Sequence, residues 1–127
     1  MSATTALQFA ADTKPIGASI TVDRRKRVAK AINAQVEQIG AEIAGDEYHG
    51  RKKAAWHWMN EDGVYFCSIK YGKKPLELQK GKYAVVCHSL TEITDALGVL
   101  HEMVLKGEYD TKLESMAKTI RSNFGSR

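Results

Sequence analysis

The sequence predicts an α+β fold, in which an N-terminal helix precedes a four-stranded antiparallel meander (about 53–88) and two C-terminal helices (about 89–106 and 110–124). Apolar residues recur every three or four positions in the flanking regions, as on one helix face. The middle instead consists of short runs rich in aromatic and β-branched residues, separated by turn residues. With 127 residues, of which 43% are hydrophobic, the chain suits one core. We expect a flexible N-terminal arm over 1–20 and a single α+β domain over 21–127.

The first helix is predicted to begin near Arg24, with Thr21 or Asp23 as its N-cap, and to end at Gly45. Its apolar stripe consists of Val28, Ile32, Val36, Ile39 and Ile43. Its predicted first turn is basic and consists of Arg24, Arg25, Lys26 and Arg27. Cations at the positive end of a helix dipole are mildly unfavourable. This run indicates either a secondary basic patch that contacts an anion or a solvated helix end.

The middle of the chain contains four predicted strands, over residues 53–59, 64–71, 75–79 and 83–88. They are separated by the turn-forming stretches NEDG, GKK and KGK. Gly63, after Asp62, is the strongest hairpin signal, and Pro75 belongs at a strand start because it has no amide hydrogen to donate.

The second helix has a capping box, in which Ser89 and Glu92 satisfy amide hydrogens at the helix start. Its buried stripe is predicted to contain Leu90, Ile93, Leu97, Leu100 and Val104. Gly107 is its predicted end, and a third helix follows from Asp110. The apolar stripe of that helix consists of Leu113, Met116, Ile120 and Phe124.

The faces of the first hairpin follow from its loop length. A loop of two or four residues pairs even-numbered residues of the first strand with odd-numbered residues of the second. One face then contains Trp56, Trp58, Tyr65, Cys67, Ile69 and Tyr71. This face is the more apolar, so we expect it to pack on the second helix. The other face contains Lys53, His57, Met59, Val64, Phe66, Ser68 and Lys70. Only a three-residue loop would exchange these sets.

The positive charge of the chain is concentrated in its middle. Of 19 basic and 15 acidic residues, residues 51–82 contain eight basic and three acidic ones, an excess of five. Such an excess makes a local field that attracts polyanions or acidic partners, or it forms a solvated face. No segment resembles a secretion signal or a membrane span, and Cys67 and Cys87 lie in apolar contexts that suit reduced thiols. We therefore expect a cytoplasmic protein.

Catalytic and metal-binding signatures are weak. His57, Cys67, Cys87 and His88 are the conceivable metal ligands. In the favoured register His57 and Cys67 fall on opposite faces, and the spacing of paired zinc ligands does not occur. Neither a nucleophile motif nor a phosphate-binding loop is present. We expect no enzyme activity, no metal and no cofactor.

Lysines, arginines and aromatic rings together are typical of single-stranded nucleic-acid binding, in which cations neutralise phosphates and rings stack on bases. The candidate binding residues are Arg51, Lys52, Lys53, His57, Phe66, Lys70, Lys73, Lys74, Lys80 and Lys82.

The order of elements from Lys53 to about Leu105, four meandering strands running into an amphipathic helix, resembles the Whirly and transcriptional positive-cofactor superfamily. The resemblance is one of topology. It implies a homodimer with a helical interface and a curved sheet that receives single-stranded DNA.

A second resemblance is one of amino-acid sequence. The stretches YGKKPLELQKGKYAVV and SLTEITDALGVLHEMVLKGEYD, residues 71–86 and 89–110, are similar to a family of small uncharacterised proteins of tailed phages and prophages. This resemblance implies a phage protein in a bacterial cytoplasm and carries no activity with it. The leading hypothesis is therefore a phage-type protein that binds single-stranded nucleic acid. The alternatives are a phage-encoded inhibitor or anti-defence protein that binds a host protein, and a structural component of the virion.

Overall fold

A computed structural model of the chain describes residues 7–11 and 16–125, without the side chains of 16–19 and 123–125. Three helices and five short strands follow one another along the chain. Their bounds are α1 Ile16–Ala44, β1 His57–Met59, β2 Tyr65–Cys67, β3 Lys70–Tyr71, β4 Lys74–Pro75, β5 Val85–Cys87, α2 Leu90–Leu105 and α3 Asp110–Gly125. The α+β class and the order of an N-terminal helix, strands and two C-terminal helices are confirmed.

Helix α1 begins at Ile16, about two turns before the predicted start near Arg24. The predicted caps Thr21 and Asp23 therefore lie inside the helix, and residues 16–20 of the predicted arm belong to it. Of the rest of that arm, residues 7–11 form neither helix nor strand, and the remainder lies outside the described residues. Ile20, in the added part of the helix, is 42% exposed and lines a groove against α3.

The C-terminal end of α1 is as predicted. Gly45 has a φ of +73°, which favours glycine. Its amide donates to the carbonyl of Glu42 at 3.2 Å, and the amide of Asp46 donates to that of Ala41 at 2.9 Å. These two bonds are the Schellman arrangement that closes a helix.

Helix α2 begins at the predicted capping box. The Ser89 hydroxyl accepts from the amide of Glu92 at 3.1 Å, and the Glu92 carboxylate accepts from the amide of His88 at 2.8 Å. Gly107, with a φ of +88°, follows the helix end at Lys106. Helix α3 then begins at Asp110, as predicted.

The strands are divided between two sheets. A three-stranded antiparallel sheet has the order β1-β2-β5, and β3 and β4 form a separate hairpin. The predicted strand 64–71 is split because the chain leaves the first sheet at Ser68 and Ile69. Ile69, within this break, and Tyr71, beyond it, are both buried in the core.

The predicted third strand, 75–79, extends only through Pro75. Beyond it, Leu76 and Leu78 are buried, with 0% and 9% of their surface exposed. Their segment is held by side chains of the α2–α3 region: the Tyr109 hydroxyl donates to the carbonyl of Leu78 at 3.1 Å, and the Lys112 ammonium donates to that of Glu77 at 3.1 Å. Two leucines that suggest a strand are thus core residues of an anchored loop, and β5 pairs with β2 instead.

The register of the first hairpin differs from the favoured prediction. His57 lies opposite Cys67, Trp58 opposite Phe66 and Met59 opposite Tyr65. Odd-numbered residues therefore pair with odd-numbered ones, which is the three-residue case. The expectation that Trp58 shares the core face with Cys67 is wrong.

The turn itself explains this register. The Asn60 side-chain oxygen accepts from the amides of Asp62 at 2.9 Å and Val64 at 3.0 Å, while its backbone amide donates to the Val64 carbonyl at 2.9 Å. Gly63 has a φ of +79°. Asn60 and Val64 thus close a three-residue loop with glycine at its left-handed position, a common hairpin connection.

The core lies between the helices and one face of the sheet. Cys67 and Cys87 are 1% and 2% exposed and face α2, which contacts β2 and β5. Helix α1 packs along α2, and α3 contacts α1. The opposite face of the three-stranded sheet is turned away from this core.

Candidate nucleic-acid-binding site

The outward face of the sheet carries three apolar side chains in one row, Trp58, Phe66 and Val86, which we call the outer aromatic patch. The register places Phe66 opposite both Trp58 and Val86. The rings of Trp58 and Phe66 are stacked, with centroids 5.7 Å apart and planes at 17°. Trp58 is 49% exposed and Val86 is 57% exposed. Trp58 and Val86 are therefore accessible on this face, and Phe66 between them is half-buried.

The patch faces outward because strand residues alternate between the two faces of a sheet. Cys67 and Cys87 occupy the core face, so their neighbours Phe66 and Val86 must take the other. Trp56, two residues before Trp58, is no longer part of the strand and packs partly buried against the core. The prediction that both tryptophans belong to the core thus holds for Trp56 and is wrong for Trp58.

The prediction that His57 shares a face of the sheet with Phe66 is wrong. His57 is paired with Cys67 and lies on the opposite face of the sheet. Its Nδ1 atom is buried and has no hydrogen-bond partner among the described residues. The side chain lines a groove beside α1, together with Lys52 and Lys53.

The other basic candidates are all exposed: Arg51, Lys52, Lys53, Lys70, Lys73, Lys74, Lys80 and Lys82. They belong to three different segments of the chain. Residues 51–53 belong to the segment that leads from α1 into β1, and Lys70, Lys73 and Lys74 belong to the β3–β4 hairpin. Lys80 and Lys82 lie in the small turn after Leu78, which the α2–α3 region anchors.

The segment that leads into β1 is positioned by two glutamines of α1. The Gln35 amide donates to the carbonyl of Ala54 at 2.9 Å, and its oxygen accepts from the amide of Trp56 at 3.1 Å. Gln38 donates to the carbonyl of Lys53 at 2.9 Å and accepts from its amide at 2.6 Å. The backbone of this basic segment is therefore ordered directly before β1 and the outer aromatic patch.

The secondary basic patch of α1 does not lie at a helix start, because α1 begins at Ile16. The argument from the helix dipole therefore does not apply. Arg25 forms an ion pair with Asp110 at the start of α3, and this pair joins two helices. Arg24 and Arg27 line a groove against α3, and Lys26 is exposed.

The two cysteines are free and buried. Burial, and to a lesser extent the neighbouring Cys87, raise the pKa of Cys67 to about 12. Burial likewise raises the pKa of Cys87. Both thiols are protonated at neutral pH, so neither is an activated nucleophile.

The observed register places His57 and Cys67 on the same face of the sheet, so one of the two reasons against a metal site no longer holds. Even so, no group of three or more His, Cys, Asp or Glu side chains in the described part of the chain is placed to hold a metal ion. None of the described helices is long and apolar enough to cross a membrane.

Trp58 is the candidate residue that sequence reasoning missed. A signal for it was present in the turn NEDG, because asparagine at the first position and glycine at the fourth are typical of a type I turn followed by a left-handed residue. Read in that way, the turn predicts the three-residue loop and hence an outward Trp58.

Neither a family model, nor a curated protein, nor a solved structure matches the chain significantly. The candidate site is therefore supported by the geometry of this structure and not by similarity to a known protein.

Proposed function

We propose that this protein binds single-stranded nucleic acid, with bases stacked on the outer aromatic patch and phosphates contacted by the exposed basic residues of the 51–82 region. The outward stacked pair of Trp58 and Phe66 is the observation that carries the proposal. An aromatic ring on an exposed sheet surface gives unpaired bases a flat surface, and each base stacked in this way contributes ~1–3 kcal/mol.

The charge distribution supports the same function. The segment that contains Arg51, Lys52 and Lys53 runs directly into β1, whose central residue is Trp58. All three side chains are exposed. Cations beside a stacking surface allow one strand to be held by backbone and bases together. Lys70, Lys73 and Lys74 on the β3–β4 hairpin extend the positive field.

The proposal is tested by fluorescence anisotropy of a labelled oligothymidylate across a salt series. We expect binding at low salt whose logarithm of affinity falls linearly with the logarithm of salt concentration. Trp58→Ala should weaken binding by about tenfold or more, since it removes a stacking platform. Tyr83→Ala is the matched control, because Tyr83 is 48% exposed but lies outside the patch.

Equal effects of the Trp58 and Tyr83 substitutions would contradict a role for the patch. Binding that is absent at low salt, or that does not weaken as salt rises, would contradict nucleic-acid binding altogether.

A second candidate function is binding of a host protein, in line with a phage-encoded inhibitor or anti-defence protein. The uncharged character of the outer aromatic patch favours it, because interface centres are depleted of charge and rich in aromatic residues. Val86, at 57% exposed, adds aliphatic surface to the two rings. A pull-down from nuclease-treated bacterial lysate separates the two functions. One stoichiometric partner that survives high salt and is lost with Trp58→Ala would support this second candidate over the first.

The phage origin, the bacterial cytoplasm and the homodimer remain proposals that follow from the two resemblances. Sedimentation of the purified chain tests the homodimer. A monomer at micromolar concentration would remove the helical interface from the proposal and leave the outer aromatic patch unaffected.

A further inference from the structure

A groove with a basic rim lies between α1, α3 and the tip of the β3–β4 hairpin. None of the residues that line it belongs to the three-stranded sheet, so it is separate from the outer aromatic patch. The lining consists of Ile20, Asp23, Arg24, Arg27, Tyr71, Gly72, Ala117, Ile120 and Arg121. Its volume is about 560 Å³. This is within the range of ~300–1,000 Å³ that small-ligand sites occupy.

The walls of the groove are held in place by contacts on both sides. Arg25 and Asp110 join α1 to the start of α3. At the hairpin tip, Gly72 has a φ of +67°, and a Cβ atom there would lie 3.1 Å from Cδ1 of Ile120. Tyr71 beside it is 8% exposed and belongs to the core. The hairpin tip therefore rests directly on α3, and the groove does not depend on a loose loop.

Three arginines converge on this groove from two helices. Arg24 and Arg27 are three residues apart on α1 and therefore lie on the same side of the helix. Arg121 approaches from α3, and Asp23 is the single acidic residue of the lining. The groove thus carries a net positive charge.

Arg27 and Arg121 have no ion-pair partner among the described residues, and Arg24 interacts with Asp110 only through its charge. Among the side chains that the structure describes, none forms an ion pair or a hydrogen bond with Arg24, Arg27 or Arg121. The neighbouring Arg25, in contrast, is bound to Asp110. Like charges that face one groove repel each other, and an anion that enters it relieves that repulsion.

The chemistry of the lining defines the ligand. A guanidinium group presents its donors in a planar fork that matches the oxygens of a phosphate. Ile20, Ala117 and Ile120 provide apolar surface beside the arginines. A ligand that contacts both the arginines and the apolar side chains has a phosphate at one end and a flat, weakly polar ring system at the other.

We propose that this groove binds a nucleotide-type phosphomonoester, with its phosphate among Arg24, Arg27 and Arg121 and its base against the isoleucines. Such a group comes either from a free mononucleotide or from the phosphorylated 5′ end of a nucleic-acid strand. The proposal is independent of the outer aromatic patch, which stacks bases along a strand and does not require a terminal phosphate.

Isothermal titration of the full chain with adenosine 5′-monophosphate, adenosine and inorganic phosphate tests the groove. We expect saturable binding of the monophosphate and none of adenosine, because the arginines supply the affinity. Arg27→Gln and Arg121→Gln should each weaken binding by about tenfold, the effect of losing a charge-assisted hydrogen bond. Lys26→Gln is the matched control, since it removes the same charge from an exposed position on α1 outside the groove, and it should change the affinity less than twofold.

The two sources are distinguished with oligothymidylates that carry a 5′-phosphate or a 5′-hydroxyl. Tighter binding of the phosphorylated strand that disappears in Arg27→Gln indicates a strand end, and equal binding of both strands beside tight mononucleotide binding indicates a free nucleotide. Trp58→Ala should leave mononucleotide binding unchanged, so failure of the groove and failure of the patch are separable.

Three results would overturn the proposal. The first is the absence of saturable monophosphate binding at millimolar concentration. The second is an equal loss of affinity in Lys26→Gln and in both arginine variants. The third is binding of a glutamate-rich peptide that depends on Arg27 while the monophosphate does not bind. Unchanged thermal unfolding of the variants, measured by circular dichroism, confirms that each comparison is made on folded protein.

Discussion

Arg25 of α1 donates two hydrogen bonds to the carboxylate of Asp110, the first residue of α3, and the Nε–Oδ1 distance is 2.9 Å. The two residues are 85 positions apart in the sequence. Asp110 also lies at the positive end of the α3 dipole, which favours a carboxylate there. The pair thus joins the first and last helices and stabilises the start of α3 at the same time.

We expect Asp110→Asn to lower the midpoint of urea unfolding and Arg25→Gln to lower it by a similar amount. The double variant should lose less than the sum of the two single losses, because both substitutions break the same contact. Equilibrium unfolding of the four proteins measures this coupling. Additive losses would show that the pair does not act as a unit. Lys118→Gln, at an exposed pair with Glu114, serves as the control and should have little effect.

The same pair predicts how the free energy of unfolding decreases at acid pH. The hydrogen bonds from Arg25 lower the pKa of Asp110 below its ordinary value. A carboxyl group whose pKa is lower in the folded state stabilises the fold above its unfolded pKa, and this stabilisation is lost as pH falls through the folded pKa. Asp110→Asn should therefore flatten the decline of unfolding free energy below about pH 4. An unchanged slope in that variant would contradict the assignment.

The raised pKa of Cys67 predicts how the free energy of unfolding decreases at alkaline pH. Burial raises its pKa from an ordinary value of 9.0 to about 12. A thiol that keeps its proton in the folded state and loses it in the unfolded state makes the fold less stable as pH rises between these two values. Cys67→Ala should reduce this loss.

Thiol modification gives a second readout of the same property. At pH 8, dithionitrobenzoate should react with Cys67 of folded Cys87→Ser protein far more slowly than with the urea-unfolded chain. Fast reaction under native conditions would show that Cys67 is accessible.

Gln35 and Gln38 make the same kind of contact with the segment before β1, but in different surroundings. Gln35 is 2% exposed, whereas Gln38 is half-buried and its bonds to Lys53 are exposed to water. Gln35→Ala leaves the backbone groups of Ala54 and Trp56 without partners at a part-buried site, which should cost ~1–3 kcal/mol of unfolding free energy. Gln38→Ala should lower the unfolding free energy by much less, because water can replace the hydrogen bonds between Gln38 and the backbone of Lys53. Urea unfolding of both variants checks the order, and equal losses would contradict it.

The turn of the first hairpin predicts a local effect on the outer aromatic patch. Gly63→Ala places a Cβ at a φ of +79° and should cost ~1–2 kcal/mol. Asn60→Ala removes both side-chain bonds of the turn and should cost ~1 kcal/mol. Hydrogen exchange at the Phe66 and Trp58 amides should increase in both variants relative to amides of α2. Unchanged exchange in the hairpin would show that the turn does not determine its pairing.

The helices of this protein were predictable because their signals are local. The Ser89 and Glu92 capping box and the glycines at 45 and 107 act within a few residues of their own positions, and the structure places the helix ends there. The start of α1 was not predicted in this way, because the cap residues near Arg24, Thr21 and Asp23, lie inside a helix that begins at Ile16.

In the sheet, too, some features were predictable from the sequence and others were not. Strand composition indicated where β structure lies, but the periodicity of two that defines a strand is the same for either register. A loop of three residues instead of two or four turned Trp58 outward and His57 inward, and only the hydrogen bonds of Asn60 decide between them. Likewise, Leu76 and Leu78 look like strand residues, while the contacts of Tyr109 and Lys112 from another element make them part of an anchored loop.

The sequence by itself therefore determined the fold class, the order of elements, the helix boundaries at Gly45, Ser89 and Gly107 and the basic character of residues 51–82, because each of these depends on neighbours in the chain. The tertiary structure alone decided which arginine forms an ion pair and where Arg27 and Arg121 meet. Those properties depend on contacts between residues distant in sequence, such as Arg25 with Asp110 and Arg121 with Arg27, whose proximity arises only when the helices pack.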